Sequence, residues 1–145
     1  MTDQTPADTL RSVTLTRTAR GEYRASNGRG STLDLATGDT DKFTAVELLL
    51  VAIAGCSAVD VDFITARRAE PESFEITMSG HKAKDEDGNH LRDLTLTFDV
   101  RFPDGEDGDK ARTALPRAAA QSHDRLCTVS RTVERGTPIT VQIAD

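Results

Sequence analysis

The longest hydrophobic segment of the chain, residues 43–70, reads FTAVELLLVAIAGCSAVDVDFITARRAE. Thr44, followed three residues later by Glu47, is typical of a capping box, so we expect a helix to begin here. From 46 to 59 almost every residue is apolar or small, and a helix that is apolar nearly all round is usually buried. Pro71 predicts its end. The segment therefore predicts a long, buried central helix.

Polar and apolar residues alternate with a period of two before this helix, which favours β-strands. The alternating segments are 11–18, 22–26 and 31–36. Ala19-Arg20-Gly21 predicts the first turn, and Asn27-Gly28, a strong turn dipeptide, predicts the second. We therefore expect three short antiparallel strands.

Two longer alternating segments follow the helix, at 73–83 and 91–102, and the charged residues between them predict a second hairpin. The remaining predicted elements are a helix at 110–122, a short helix near 128–135 and a closing strand at 138–143. Pro116 should kink or divide the first of these helices.

The predicted element order is βββ-α-ββ-α-α-β. Runs of strands separated by helices indicate an α+β fold rather than a doubly wound sheet. The 145 residues suit a single core, so we expect one domain over residues 10–145 after a polar tail at 1–9.

Composition argues against nucleic-acid-binding, secreted and membrane-spanning proteins. A net charge of −6 argues against general binding of nucleic acid, which requires a basic face. The N-terminus shows no secretory signal, and the apolar stretch 46–59 is shorter than the roughly 18–20 residues that span a bilayer. We expect a cytoplasmic protein whose two cysteines are not a structural disulfide.

Cys56 is the sharpest candidate for chemistry. In an apolar helix it could equally be a small buried hydrophobe or a reactive thiol, which requires a nearby cation or helix N-terminus. Cys56 lies several turns after its own helix start, so an activating charge must come from elsewhere. Glu47 is explained by the capping box, and it lies on the opposite side of an ideal helix from Cys56.

Cys127 lies 71 residues after Cys56 (127 − 56), which is neither a zinc-ligand spacing nor a Cys-x-x-Cys motif. His123 could pair with Cys127 as a Cys/His nucleophile. The three histidines show no metal-ligand spacing, so we expect no metal site. Arg20 and Arg29 lie in predicted turns, where a solvated charge is usual.

Taken together, these segments resemble the OsmC/Ohr family of thiol-dependent hydroperoxide reductases, in its broader OsmC-like branch. Residues 43–61 resemble the family helix that carries a glutamate and the first cysteine. The segment CTVSRTV (127–133) resembles the second-cysteine segment, usually Cys-Pro-Val-Ser, although Thr128 replaces the proline. The resemblance implies an intertwined homodimer, with two long central helices wrapped by antiparallel sheets.

The resemblance also implies a role for each site residue. Cys56 matches the peroxidatic cysteine, which would attack the peroxide and become a sulfenic acid. Cys127 matches the resolving cysteine, which would condense with it to a Cys56–Cys127 disulfide, and Glu47 matches the carboxylate that orients the site. Arg20 is the best match to the activating arginine, and Arg29 is the second. The apolar residues expected around Cys56 are Leu49, Val51, Ile53 and Val59. We expect Leu49, Ile53 and Arg29 to contact the substrate.

The implied function is cofactor-free reduction of organic hydroperoxides, and more weakly of hydrogen peroxide, in defence against oxidative stress, with a dithiol or low-molecular-weight thiol as reductant. One alternative is a non-catalytic dimeric stress-response or small apolar ligand-binding protein of the same fold, whose function would survive Cys56→Ser. The other is a hydrolase built on Cys127 and His123, which would survive Cys56→Ser but not His123→Ala.

Overall fold

The computed structural model describes residues 9–144. The chain forms two compact units, 1–48 and 49–145, and the boundary between them falls inside the long helix. Apart from Thr9, the predicted tail lies outside the described residues.

The first unit contains a three-stranded antiparallel sheet, in the order β1-β2-β3. The strands are β1 (Thr14–Ala19), β2 (Glu22–Ser26) and β3 (Thr32–Ala36). A tight turn at Arg20 and Gly21 joins β1 to β2, and Gly21 has φ +74°, where glycine is favoured because it has no Cβ. The three predicted strands are confirmed.

The long helix α1 extends over Ala45–Ala66 and begins with the predicted capping box. The Thr44 backbone N–H donates to Glu47 Oε1 over 2.9 Å, and the Glu47 backbone N–H donates to Thr44 Oγ1 over 3.2 Å. The helix ends before Pro71, since the Thr65 carbonyl accepts from the N–H groups of Arg68 and Ala69 and closes the last turn.

Only one stripe of α1 is buried within a single chain. It consists of Ile53, Ser57, Val61 and Thr65, each 5% exposed or less. On the opposite side, Val51, Val59 and Phe63 are 51%, 53% and 68% exposed. The expectation of a helix buried nearly all round is therefore wrong for the single chain, in which this face stays exposed. A helix that is apolar all round is buried only where each of its faces is covered.

The second unit contains a long antiparallel hairpin of β4 (Ser73–Asp85) and β5 (Gly88–Arg101). The helix α2 (Glu106–Gln121) begins four residues before its predicted start and continues through Pro116. The expected division at that proline is wrong. A proline removes one helix hydrogen bond, and the alanine-rich turns on both sides have the highest helix propensity.

A single turn of π-helix, Ser122–Leu126, joins α2 to the short helix α3 (Thr128–Glu134). No strand forms over the predicted segment 138–143 in the described part of the chain. Its apolar residues Ile139, Val141 and Ile143 are between 84% and 92% exposed. The alternating pattern is present, but a strand forms only against a partner strand, and residues 9–137 supply none.

The helix α1, with 22 residues, is longer than the apolar stretch 46–59 from which its membrane-spanning ability was judged. By length and composition, α1 is the one helix among residues 9–144 that could cross a bilayer. The core helix of a soluble protein has the same length and composition, so these two properties are shared by membrane-spanning and core helices.

Candidate active site

Cys127 begins α3 as its N-cap residue and is fully buried. Its thiol donates to Ser130 Oγ over 3.1 Å, and its sulfur accepts from the Ser130 backbone N–H over 3.4 Å. Ser130 occupies the third position of the helix, where a capping side chain finds an unpaired backbone N–H. The start of α3 therefore holds the Cys127 sulfur in one position.

Cys56, in the middle of α1, lies beside Cys127 and the first turn of α3. Burial raises the pKa of the Cys56 thiol above its ordinary value, and the nearby Cys127 thiol raises it further. The backbone N–H groups of Val129 and Thr128 oppose this rise, because they stabilise the thiolate. Both cysteines are free thiols, and the fold brings these two distant positions together within one chain.

Among the described residues of the second unit, no cationic side chain contributes to the Cys56 pKa. The two α3 amides are the groups that favour the thiolate. A reactive thiol requires a nearby cation or helix N-terminus, and the second unit supplies backbone amides.

A largely apolar cavity of about 180 Å³ lies next to Ser130, the residue that bonds the Cys127 sulfur. Ile53, one of the predicted substrate contacts, lines it, and Ser130 connects it to the Cys127 sulfur. The cavity is lined by Ile53, Met78, Leu94, Leu96, His123, Ser130, Val133 and Glu134. An apolar cavity with a few polar groups at its edge is typical of a site for a small organic molecule.

His123 lies on the π turn, and carboxylates contact both of its ring nitrogens. Nδ1 is 3.0 Å from Asp124 Oδ1 and Nε2 is 2.8 Å from Glu134 Oε1. The Asp124 contact first, and then Glu134, raises the pKa of His123. Cys127 bonds to Ser130, and both ring nitrogens of His123 contact carboxylates, so the alternative Cys127–His123 pair is not formed in this structure.

The other predicted site residues lie in different environments. Glu47 is exposed, and its carboxylate completes the capping box. Arg20 lies in the β1–β2 turn and Arg29 in the next loop, both exposed in the first unit. Leu49 is 39% exposed. A contact of these residues with substrate or thiol stays a prediction.

Sequence reasoning missed Ser130. The signal was present, since a hydroxyl three residues after an N-cap position is well placed to meet the cap side chain. It also missed Ser57 and Ser122, whose buried side chains contact each other. No local pattern could have paired two serines 65 residues apart.

Comparison with known proteins agrees with this fold. A family model described as OsmC-like protein matches residues 38–142. An uncharacterized protein of Mycobacterium tuberculosis is 28% identical over 131 residues, covering 89% of this chain and 93% of that protein.

Solved structures show the same architecture at low sequence identity. An OsmC-like protein of unknown function from Vibrio cholerae superposes with a TM-score of 0.73 at 16% identity, covering 86% of this chain and 94% of that one. The organic hydroperoxide resistance protein OhrB of Bacillus subtilis gives 0.56 at 18% identity, covering 88% and 92%. Since the family model matches well over half of the chain, this protein belongs to the OsmC-like protein family and has its α+β fold.

Proposed function

We propose that the protein is a cysteine-based peroxidase that reduces organic hydroperoxides, and more weakly hydrogen peroxide, in defence against oxidative stress. The observation that carries the proposal is the placement of Cys56 beside Cys127 and the first turn of α3. The related OhrB structure is named for organic hydroperoxide resistance, which supports the same class of substrate.

The reaction has two balanced steps. The Cys56 thiolate attacks the terminal peroxide oxygen, the O–O bond breaks, and with one proton the products are a Cys56 sulfenic acid and an alcohol. The Cys127 thiol then attacks the sulfenic sulfur, releases water and forms the Cys56–Cys127 disulfide. A dithiol or low-molecular-weight thiol reduces this disulfide by exchange, and no cofactor or metal takes part.

Each accessory residue has an assigned part in this proposal. Arg20, or Arg29 in its place, supplies a guanidinium that favours the Cys56 thiolate. Glu47 orients that guanidinium through a bidentate pair. Leu49 and Ile53 contact the organic part of the peroxide. Free thiols persist in a reducing compartment, so the reaction is proposed to occur in the cytoplasm.

The proposed active form is a homodimer in which a second copy covers the exposed face of α1. Val51, Val59 and Phe63 recur every four or eight residues on one side of the helix. Gly55 lies among them, and a Cβ added there would meet no atom within 4 Å beyond its chain neighbours and the backbone of its own helix. Small residues at such a face allow close approach of another helix. Cys56 follows Gly55 directly, so the active site would lie at the edge of the interface.

A second candidate function is a non-catalytic dimeric protein that binds a small apolar ligand. The raised pKa of Cys56 favours this alternative, because a thiol that stays protonated is a poor nucleophile. The apolar cavity beside Ser130 would then be the binding site.

Loss of cumene hydroperoxide under dithiothreitol or dihydrolipoamide separates the two functions. We expect turnover by the wild type, none by Cys56→Ser, and a single oxidation event in Cys127→Ser. Absence of turnover in the wild type with either dithiol would reject the peroxidase. Ligand binding that survives Cys56→Ser would then support the alternative.

A further inference from the structure

We infer that Ser122 is a positioning residue that holds the two cysteine-bearing segments in register for disulfide formation, through its contacts with Ser57, Asp60 and the Cys127 backbone. The inference rests on the proposed function, because it concerns the same Cys56–Cys127 pair. Ser122 contacts neither sulfur; it acts through the backbone segments that carry them.

The side chain of Ser122 binds α1 at two points. Its Oγ donates to Asp60 Oδ2 over 2.8 Å, and it lies 3.0 Å from Ser57 Oγ. Ser57 immediately follows Cys56 in the chain, and Asp60 lies one helical turn after Cys56. The Ser122 hydroxyl is therefore attached to the part of α1 that carries the first cysteine.

The buried hydroxyl groups of this network have defined donors and acceptors. Ser122 and Ser57 are 0% and 1% exposed, so their hydroxyls need partners inside the protein. Ser122 has one hydroxyl proton and donates it to Asp60, which leaves Ser57 to donate to Ser122. Loss of the central hydroxyl would leave the buried Ser57 hydroxyl without its acceptor and would remove the Ser122 bond to Asp60.

The backbone of Ser122 binds the other cysteine segment. Its carbonyl accepts from the Cys127 backbone N–H over 2.8 Å. This bond spans five residues, so it is the hydrogen bond that defines the π turn, and isolated π turns of this kind often occur at functional sites. In a continued α-helix the same N–H would bond one residue later, at His123, and Cys127 would point elsewhere.

One residue thus links both halves of the thiol pair. Its side chain holds the α1 turn around Cys56, and its carbonyl fixes the backbone of Cys127. Disulfide formation requires Cα atoms about 4.4–6.8 Å apart and a narrow dihedral range. Small shifts of one segment against the other should therefore reduce the tendency of the thiols to join.

The test measures the equilibrium constant for thiol–disulfide exchange between the full-length protein and oxidised glutathione. In this reaction the Cys56 and Cys127 thiols and one oxidised glutathione give the Cys56–Cys127 disulfide and two reduced glutathione molecules. Mass spectrometry identifies the bond. We expect Ser122→Ala to lower the equilibrium constant by roughly 10- to 100-fold, because departures from disulfide geometry strain the bond and make it more reducible.

Thr65→Val is the matched control. Thr65 is also fully buried on α1, but its hydroxyl donates to the Val61 carbonyl of the same helix and so links no second segment. We expect Thr65→Val to lower stability and to leave the disulfide equilibrium near that of the wild type. An equal fall of the constant in both variants, in proportion to lost stability, would overturn the inference.

Asp60 provides a second pair of variants if Ser122→Ala does not fold. Asp60→Asn keeps an acceptor oxygen and should retain the wild-type equilibrium, whereas Asp60→Ala should lower it. Equal constants for both would overturn the inference, as would failure of the wild type to form the bond. A wild type that forms the disulfide with glutathione but consumes no cumene hydroperoxide would reject the proposed function and leave the positioning role intact.

Discussion

The thiol of Cys127 donates to the hydroxyl of Ser130 over 3.1 Å, and both side chains are buried at the start of α3. This contact makes Ser130 part of the environment of the second sulfur. It also connects that sulfur to the apolar cavity, because Ser130 is one of the cavity residues.

Ser130→Ala should destabilise the fold and slow the second chemical step. Loss of the hydroxyl leaves the buried Cys127 S–H without its acceptor, which should lower the free energy of unfolding by about 1 kcal/mol. Urea denaturation measures that change, and dimedone trapping measures the lifetime of the Cys56 sulfenic acid. Ser130→Thr, which keeps the hydroxyl, is the control. An unchanged sulfenic acid lifetime in the alanine variant would remove Ser130 from the site.

Glu47→Gln separates the capping role of Glu47 from its proposed electrostatic role. Glutamine still accepts from the Thr44 backbone N–H, so the melting temperature should stay close to that of the wild type. The rate of cumene hydroperoxide reduction should fall, because the amide cannot hold a guanidinium by a charged bidentate pair.

Glu47→Ala should lose both properties, with a fall of about 1 kcal/mol in stability. Wild-type turnover by the glutamine variant would show that Glu47 serves only as a helix cap.

The stability contribution of His123 should disappear at high pH. Its pKa is raised in the folded state by Asp124 and Glu134, so the folded protein favours the imidazolium. The contribution is complete below the unfolded pKa of about 6.5 and is lost as pH rises through the raised folded pKa. The side chain is half exposed, so we expect a contribution of about 0.2–1 kcal/mol.

Urea midpoints of wild type and His123→Gln, compared across the pH range in which histidine titrates, measure this effect. The difference should be largest on the acidic side and should vanish on the basic side. Glu134→Gln removes one of the two carboxylates and should reduce the difference. A difference that grows with pH would contradict the assignment.

Val59→Asp should dissociate the proposed homodimer. In the single chain Val59 is 53% exposed, and a substitution at such a position usually changes stability by less than about 0.5 kcal/mol. Against a second α1, the new carboxylate would be buried without a partner, at a large cost. Sedimentation equilibrium distinguishes these cases. Val59→Ala, which adds no charge, should weaken association less, and a monomeric wild type would reject the proposed dimer.

Val133→Phe should reduce the size of the cavity and change the preference among peroxides. Val133 lines the cavity, and a phenyl ring there would occupy much of the room for an organic group. The kcat/KM for cumene hydroperoxide should fall by roughly 10-fold or more, on the scale of pocket-filling effects of about 1–3 kcal/mol. Hydrogen peroxide is the internal control, and an equal fall for both peroxides would place the substrate elsewhere.

The sequence by itself determined the features that depend on neighbouring residues. The capping box of Thr44 and Glu47, the first turn at Gly21 and the alternation of β4 and β5 all involve positions a few residues apart. Their physical causes are local hydrogen bonds and side-chain periodicity. The family resemblance then supplied the family fold and the expected roles of the two cysteines, and the family match confirms that fold.

Only the tertiary structure decided which distant residues meet. The closeness of Cys56 to Cys127 within one chain, the bond between Ser57 and Ser122, and the cavity beside Ser130 depend on how α1, the β4–β5 hairpin, the π turn and α3 come together. The segment 138–143 also shows that local sequence does not determine tertiary pairing. Its alternation predicts a strand, yet it pairs with no strand in residues 9–144, because strand pairing requires a partner that local sequence cannot supply.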